Sequence, residues 1–320
     1  MSMLLPLFED PPPELAASLG PRLAALAAEG VYIGGSSWKY PGWLGQIYTP
    51  EKYRTRGRFS QKKFEAECLE EYAKTFPIVC GDFSFYQFPS DAFWQRLFAS
   101  ASPSLRYGFK VPEEITVKRF PMHDRYGARA GLTNEFFLHP DMFAENFWRP
   151  LETYKDRVAV LIFEFGTFSK EAFAGEAPFV EQLDRFLGAL PKGPRYSVEV
   201  RNPEFLAADY FACLQKHNVA HVFNAWTRMP ELGVQMSIAD AFSADFTVVR
   251  ALLRRGRAYE DAVKAFSPYE RVQDANPPGR VAIRSLIARA RQVRQPAFVF
   301  VNNRFEGNAP QTIDAILKDG

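Results

Sequence analysis

The chain has 320 residues, 47% of them hydrophobic and 24% charged, with a formal net charge of +2. That is the composition of a globular protein with a large core, and its near-neutral balance neither demands nor excludes a nucleic-acid partner. Three scattered cysteines (Cys68, Cys80, Cys213) exclude a disulfide framework or a CxxC metal site and fit a reducing cytosol, and no apolar run reaches the roughly 18 residues of a membrane span.

The opening MSMLLPLFEDPPPE has a short apolar patch, lacks a basic flank and turns acidic at once, so it reads poorly as a signal peptide. The expectation is a cytoplasmic protein. The prolines at 11–13 close a leader, and 15–28 predicts an Ala- and Leu-rich helix. Leader and helix (1–30) are expected to pack on one domain formed by 31–320.

Short apolar or β-branched runs then alternate with amphipathic stretches, which signals βαβ units and a parallel sheet. The predicted strands are 31–36, 78–83, 106–111, 158–165, 196–201, 221–225, 246–251 and 297–302. Helices are predicted at 62–75, 91–99, 178–190, 203–217, 281–293 and 310–317. Eight strands with helices in most gaps predict a (β/α)₈ barrel of the TIM type with an N-terminal helical extension. The alternative is a doubly wound open sheet, which would usually carry a Gly-rich phosphate turn after strand one. Here that turn reads GGSSWKY, without GxGxxG or a Walker motif.

In a barrel the working groups sit where strands run into the following loops. Those positions hold Ser37 and Trp38 after strand one, then Asp82 and Tyr86 after strand two. Strands three to six bring Lys110, Glu164, the pair Glu199 and Arg201, and Asn224 with Trp226. Strands seven and eight end in Arg250 and in Asn302 and Asn303. Residues two apart share a face of a strand, so in VEVR both Glu199 and Arg201 should face the axis and the valines the helices. Several charges inside a barrel need partners or a function. One reading is a structural ion-pair network of Glu164, Glu199, Arg201 and Arg250. The other is a polar pocket walled by Trp38, Tyr86 and Trp226. Its arginines would hold a carboxylate or phosphate, and its carboxylates Glu164 and Glu199 would serve as general acid and base or hold a divalent metal, although no metal motif is present.

HExxH and GxSxG are absent and the four histidines are dispersed, so neither a zinc site nor a Ser-His-Asp triad is expected. His221, at the start of a strand, reads as structural, and Cys80 as a buried inert thiol. Two long loops, 112–138 and 252–278, carry Lys118, Arg119, Arg125, Arg129, Arg254, Arg255 and Arg257; long loops in compact domains are often lids or binding loops.

Five blocks, in order, resemble the YecE-like family (domain of unknown function 72): YIGGSSWKYPGWLGQIYTPEKY, FSFYQFPSDAFW, YSVEVRNPEFL, TVVRALLRRG and FVFVNNRFEGNAPQTI. They span about 31–315. The resemblance implies a barrel and supplies no reaction. It marks Trp38, Tyr86, Glu199, Arg201, Arg250, Asn303 and Gly307 as shared landmarks. Against the family pattern, Cys80 stands where an acid is usual, Asp82 replaces an amide, Glu164 a glutamine, and Leu252 and Val117 histidines. Three functions remain open. One is a hydrolase-like enzyme for a small anionic or polyhydroxylated, sugar-like ligand; glycoside hydrolysis would need its two carboxylates about 5 to 9.5 Å apart. The others are a nucleic-acid-binding or nucleic-acid-processing protein and a non-catalytic ligand-binding protein. Cofactor and oligomeric state are not fixed by the sequence.

Overall fold

Each of the eight apolar runs forms a strand: β1 Val31–Gly35, β2 Ile78–Gly81, β3 Arg106–Lys110, β4 Val158–Phe165, β5 Tyr196–Val200, β6 Ala220–Ala225, β7 Thr247–Ala251 and β8 Ala297–Val301. In the computed structural model, which describes residues 11–318, they are all parallel and close into a barrel. β1 pairs with β8 from Val31↔Ala297 to Gly35↔Val301 and touches β2 through Gly35↔Val79. The open-sheet alternative is excluded by that closure.

The alternation expected of strands sorts the side chains. Val198 and Val200 point outward into the layer shared with the helices. Inside, Ile78, Cys80, Val160, Ile162, Val222, Val248, Phe298 and Phe300 fill the lower barrel as one buried apolar cluster. Gly108 is required there: a Cβ at this position would sit 2.5 Å from Cζ of Phe300, whose ring occupies the axis. Above this plug the inward positions become polar.

Helices ring the barrel. α1 Glu14–Ala28, α2 Gln61–Thr75, α3 Asp91–Ala99, α4 Glu176–Ala189 and α5 Ala208–Lys216 are followed by α6 Tyr259–Phe266, α7 Pro277–Val293 and α8 Ala309–Lys318. Side-chain oxygens of Ser60, Ser90 and Asn276 accept from backbone N–H groups in the first turns of α2, α3 and α7, satisfying donors that a helix start leaves open. α1 buries Ala16, Leu19 and Leu23, and Arg22 bonds Asp314 of α8 at 2.9 Å, so the extension is seated on the barrel. The expected leader at 1–10 lies outside the described residues.

Three details differ from the pattern read in the sequence. The helix expected at 203–217 begins later, because Pro203–Phe205 forms a separate 3₁₀ turn and Leu206 leaves helical geometry (φ −78°, ψ 62°). A two-residue-per-strand hairpin, Arg54–Thr55 with Arg58–Phe59, precedes α2. The long segment after β3 is built rather than loose: Glu113–Thr116 is helical, Arg119 bridges Thr133, and Gly127 (φ +52°) breaks the 3₁₀ turn at Asp124–Arg129. Among the described residues, no helix is long and apolar enough to cross a membrane.

Candidate functional site

The polar upper end of the barrel gathers residues from most of the strands. Arg250, on β7, is only 1% exposed. Its Nη1 donates to Glu164 of β4 at 2.6 Å and also to Glu199 of β5. Arg201, one residue beyond β5, reaches back to Glu164 at 3.0 Å and to Glu199 at 3.2 Å. Lys110, at the end of β3, bonds Glu164 at 3.0 Å and lies with its ammonium 3.6 Å from the centre of the Phe85 ring. Asp82 completes the group at longer range, 3.5 Å from Arg250 and 3.8 Å from Lys110.

Charge and exposure divide this cluster. Glu164 and Glu199 are buried (5% and 0%), whereas the Asp82 side chain is 42% exposed. The buried part therefore holds three cations and two carboxylates, and the third carboxylate stands partly in solvent. Burial alone would raise the Glu164 pKa, but the charges of Arg201, Lys110 and Arg250 outweigh it and hold the carboxyl well below the usual range. Burial also works against the charge on Arg250, and the neighbouring Glu199 and Glu164 carboxylates more than offset it, so the guanidinium stays ionised.

These contacts change the roles expected of the two glutamates. Both accept from one Arg250 nitrogen, so their nearest oxygens lie within about 5 Å with a guanidinium between them, where a retaining glycosidase keeps room for its substrate. Glu164, locked as a carboxylate, has no proton to donate as a general acid. In this arrangement the pair positions and neutralises the arginines, and Asp82 is the carboxylate with an accessible face. Its Oδ1 makes no hydrogen bond.

The other expected site residues separate into three places. Trp226 forms a wall: the Arg201 guanidinium lies 3.8 Å from its ring centre. Tyr86 is on the rim, 59% exposed, with Arg125 stacked 4.8 Å above it. Ser37 lines the mouth. Burial pushes the Tyr40 hydroxyl up to about 12, with nearby Arg304 opposing, so it remains a donor at neutral pH. Trp38 is not a rim residue. It is 6% exposed and packs edge-on against Phe83 at 5.8 Å, where it walls the hollow beside Asp82.

Asn224 faces the axis fully buried; its Nδ2 donates to the Val200 carbonyl at 3.1 Å, and its Oδ1 has no partner. Gln235 grips both its backbone N–H and its carbonyl, a support no local sequence signal announces. Asn302 ties β8 to β1 by donating to Ser36 at 2.7 Å. Asn303 leaves the pocket altogether: its Oδ1 accepts from Trp43 Nε1 at 3.2 Å and from the Ala309 N–H at 2.8 Å, under α8. The strand has ended by then: Asn302 caps, and Asn303 opens, the short helix Asn303–Glu306, which carries its side chain away from the axis.

Two hollows adjoin the cluster. A cavity of about 470 Å³ runs from Asp82, Ser37 and Cys80 between α2 and α3, walled by Trp38, Phe83 and Phe93. Burial pushes the Cys80 thiol up to about 12, which leaves it an inert wall. A more open cleft of about 410 Å³ lies on the far side of Arg201, bordered by Thr167, Ser169, Lys170 and Arg228. Lys170, Arg228 and Phe85 were not anticipated from the sequence.

The loop cations anticipated for a nucleic-acid surface are mostly engaged. Arg125 pairs with Glu113 and Arg129 with Glu114, each at 2.9 Å. Lys118 lies 3.5 Å from the centre of the Phe173 ring, and Arg119 donates to the Gly131 carbonyl. Arg254 and Arg257 share Asp274; only Arg255 stays exposed without such a contact. His221 is buried against Tyr210, as a structural histidine would be.

Residues 32–319 match the model of the family described as protein of unknown function DUF72. Solved structures are similar over most of the chain. A DUF72 family protein of Thermotoga maritima is 18% identical with a TM-score of 0.58, covering 90% of this chain and 98% of its own. One from Enterococcus faecalis V583 is 15% identical with a TM-score of 0.61, covering 90% and 94%. At such identities the likeness shows the fold alone. No curated protein matches the sequence significantly.

Proposed function

The chain belongs to the DUF72 family of unknown function, and from that premise we propose that the upper end of its barrel is the site of a hydrolase-like enzyme for a small anionic or polyhydroxylated ligand. The observation that carries this reading is the charge arrangement. Three cations face two buried carboxylates, and the balancing Asp82 is loosely held at 3.5 and 3.8 Å, partly in water. Such a floor favours an incoming anion in a place where the low dielectric strengthens the attraction.

Arg201 is the residue assigned to the anion. Two of its donors are fixed on Glu164 and Glu199, its face rests on Trp226, and it borders the cleft that also holds Lys170 and Arg228. A guanidinium so immobilised meets a phosphate or carboxylate with little further loss of freedom. Asp82 is assigned to proton transfer from a ligand hydroxyl or water, since its side chain is 42% exposed, with its buried Oδ1 turned toward Arg250 and Lys110, and it borders the 470 Å³ cavity. Glu164 and Glu199 act as positioning residues. The size of the cavity suits a small-molecule ligand.

The test is a thermal-shift panel of phosphate esters, small carboxylates and neutral sugars. Hits are followed by calorimetry on the wild type, Arg201→Gln and Asp82→Asn. Anionic compounds should raise Tm in the wild type, Arg201→Gln should abolish the rise, and Asp82→Asn should keep binding while losing turnover. Failure of every anion to stabilise the wild type, or unchanged binding in Arg201→Gln, overturns the reading. Binding without turnover on any hit moves it to a non-catalytic ligand-binding protein.

A further inference from the structure

Away from the mouth, toward the face where the strands begin, α4 and α5 lie side by side. Three side chains of different chemistry meet between them. Cys213 lies on α5 and His217, four residues on, is the residue that caps its C-terminal end, while Asp184 of α4 sits opposite. His217 Nε2 is 2.7 Å from Asp184 Oδ1, and Cys213 Sγ is 4.0 Å from the same oxygen. All three candidate donor atoms lie within 4.8 Å of one another, and no other group of His, Cys, Asp and Glu among the described residues is so arranged.

We propose that Asp184, Cys213 and His217 bind one zinc ion, with water in the fourth position. The donor set is one carboxylate oxygen, one imidazole nitrogen and one thiolate, the combination of hard and soft ligands that zinc accepts and that magnesium or calcium does not. Tetrahedral zinc with bonds of roughly 2.0 to 2.3 Å sets its ligand atoms about 3.3 to 3.6 Å apart. The distances of 2.7 and 4.0 Å to Asp184 bracket that spacing and the third pair lies within 4.8 Å, so modest side-chain rotations would form the site. The Cys213 S–H proton goes to solvent, and one thiolate with one carboxylate balances the ion's charge.

Exposure grades across the group. Cys213 is 6% exposed, the His217 side chain 12% and the Asp184 side chain 35%, which leaves an approach from the solvent side. At present Lys216 Nζ holds both Asp184 oxygens at 2.8 Å. Its side chain is 61% exposed, and pairs of that kind contribute little, so a divalent ion can displace it. Occupied, the site clamps α4 to α5 at the end of the barrel opposite the mouth. It therefore stands or falls separately from the proposal for Arg201 and Asp82.

The experiment titrates chelator-stripped protein with Zn²⁺ against a chromophoric competitor and repeats it with Co²⁺, whose thiolate charge-transfer absorption reports Cys213. One zinc per chain and a thiolate band are expected. Cys213→Ser and His217→Ala should each weaken binding by about tenfold or more, while Lys216→Gln should tighten it severalfold, because a competing cation is removed. Thermal melts without metal establish that each variant folds. If Cys213→Ser does not fold, the Co²⁺ band and the Lys216→Gln titration carry the decision. Absence of zinc binding, a cobalt complex without a thiolate band, or Lys216→Gln leaving affinity unchanged overturns the proposal.

Discussion

Arg201 rests against the indole of Trp226, its guanidinium 3.8 Å from the ring centre, while its edge is fixed on Glu164 and Glu199. The indole keeps the cation from folding into solvent, and a buried cation–π contact is worth about 1 to 2 kcal/mol. Trp226→Ala should therefore weaken the binding of an anionic ligand about five- to thirtyfold by calorimetry, with little change in Tm. Trp226→Phe should recover most of the loss. Equal affinity in Trp226→Ala would remove the indole from the site.

Arg250 is the hub of the buried network, so its removal leaves one uncompensated negative charge at the barrel axis, with Arg201 and Lys110 still paired to Glu164 and Arg201 to Glu199. Arg250→Met should destabilise the fold by about 3 to 5 kcal/mol in urea unfolding. Adding Glu199→Gln to that variant restores the charge balance and leaves Glu164 with Arg201 and Lys110. The double variant should then be more stable than Arg250→Met alone, a non-additivity expected of contacting groups. A double variant less stable than the single one would show that the Glu199 charge supports the barrel through Arg201 rather than through Arg250.

Burial pushes His221 down to about 4, so it is neutral in the fold at neutral pH. Unfolded, a histidine takes up a proton near pH 6.5. Between those values the unfolded chain binds the extra proton, so stability falls as pH drops from about 6.5 toward 4, by on the order of 3 kcal/mol. His221→Gln should flatten that part of the pH–stability curve. Glu164 acts lower down: its depressed pKa adds stability above the ordinary carboxylate value of about 4.3, lost as pH falls below it. The two steps separate in a urea-midpoint series across pH. An unchanged slope between pH 6.5 and 4 in His221→Gln would assign that loss elsewhere.

Gly108 tests the packing of the barrel interior. Its missing Cβ is replaced by the Phe300 ring, with three ring atoms 2.5 to 3.3 Å from where the methyl would be. The ring is fully buried and has nowhere to turn, so Gly108→Ala should cost about 1 to 3 kcal/mol through overpacking. Phe300→Leu in the same chain should return part of it. Gly108→Ala with wild-type stability would mean that the lower barrel is looser than this contact implies.

Much of the architecture was readable from residue patterns. VAVLIFEF and AFVFV are continuous apolar runs because strands of a parallel barrel are covered on both faces, and their placement in β4 and β8 followed directly. The period of two also put Glu199 and Arg201 on the axis. The end of β8 at Val301 was not readable, so Asn303, which opens a short helix, looked like a pocket residue. Partnership across the sequence was not readable. Nothing near Arg254 announces Asp274, and nothing near Glu199 says that Arg250 will claim it, so the glutamates looked like free acid–base groups. Trp38 illustrates the same gap: an aromatic after a strand can stand on a rim or lie buried as a wall, and Phe83, which it packs against, comes from another strand end. For the α4–α5 group, scattered cysteines and dispersed histidines gave no sign of a site, because Asp184 joins Cys213 and His217 only through helix packing.

The Phe300 ring across the axis has a kinetic consequence. It closes the barrel beneath the charged floor, so nothing drains through the axis. A ligand held on the floor and the water it displaces must exchange at the strand ends, through the hollows beside Asp82 and beyond Arg201.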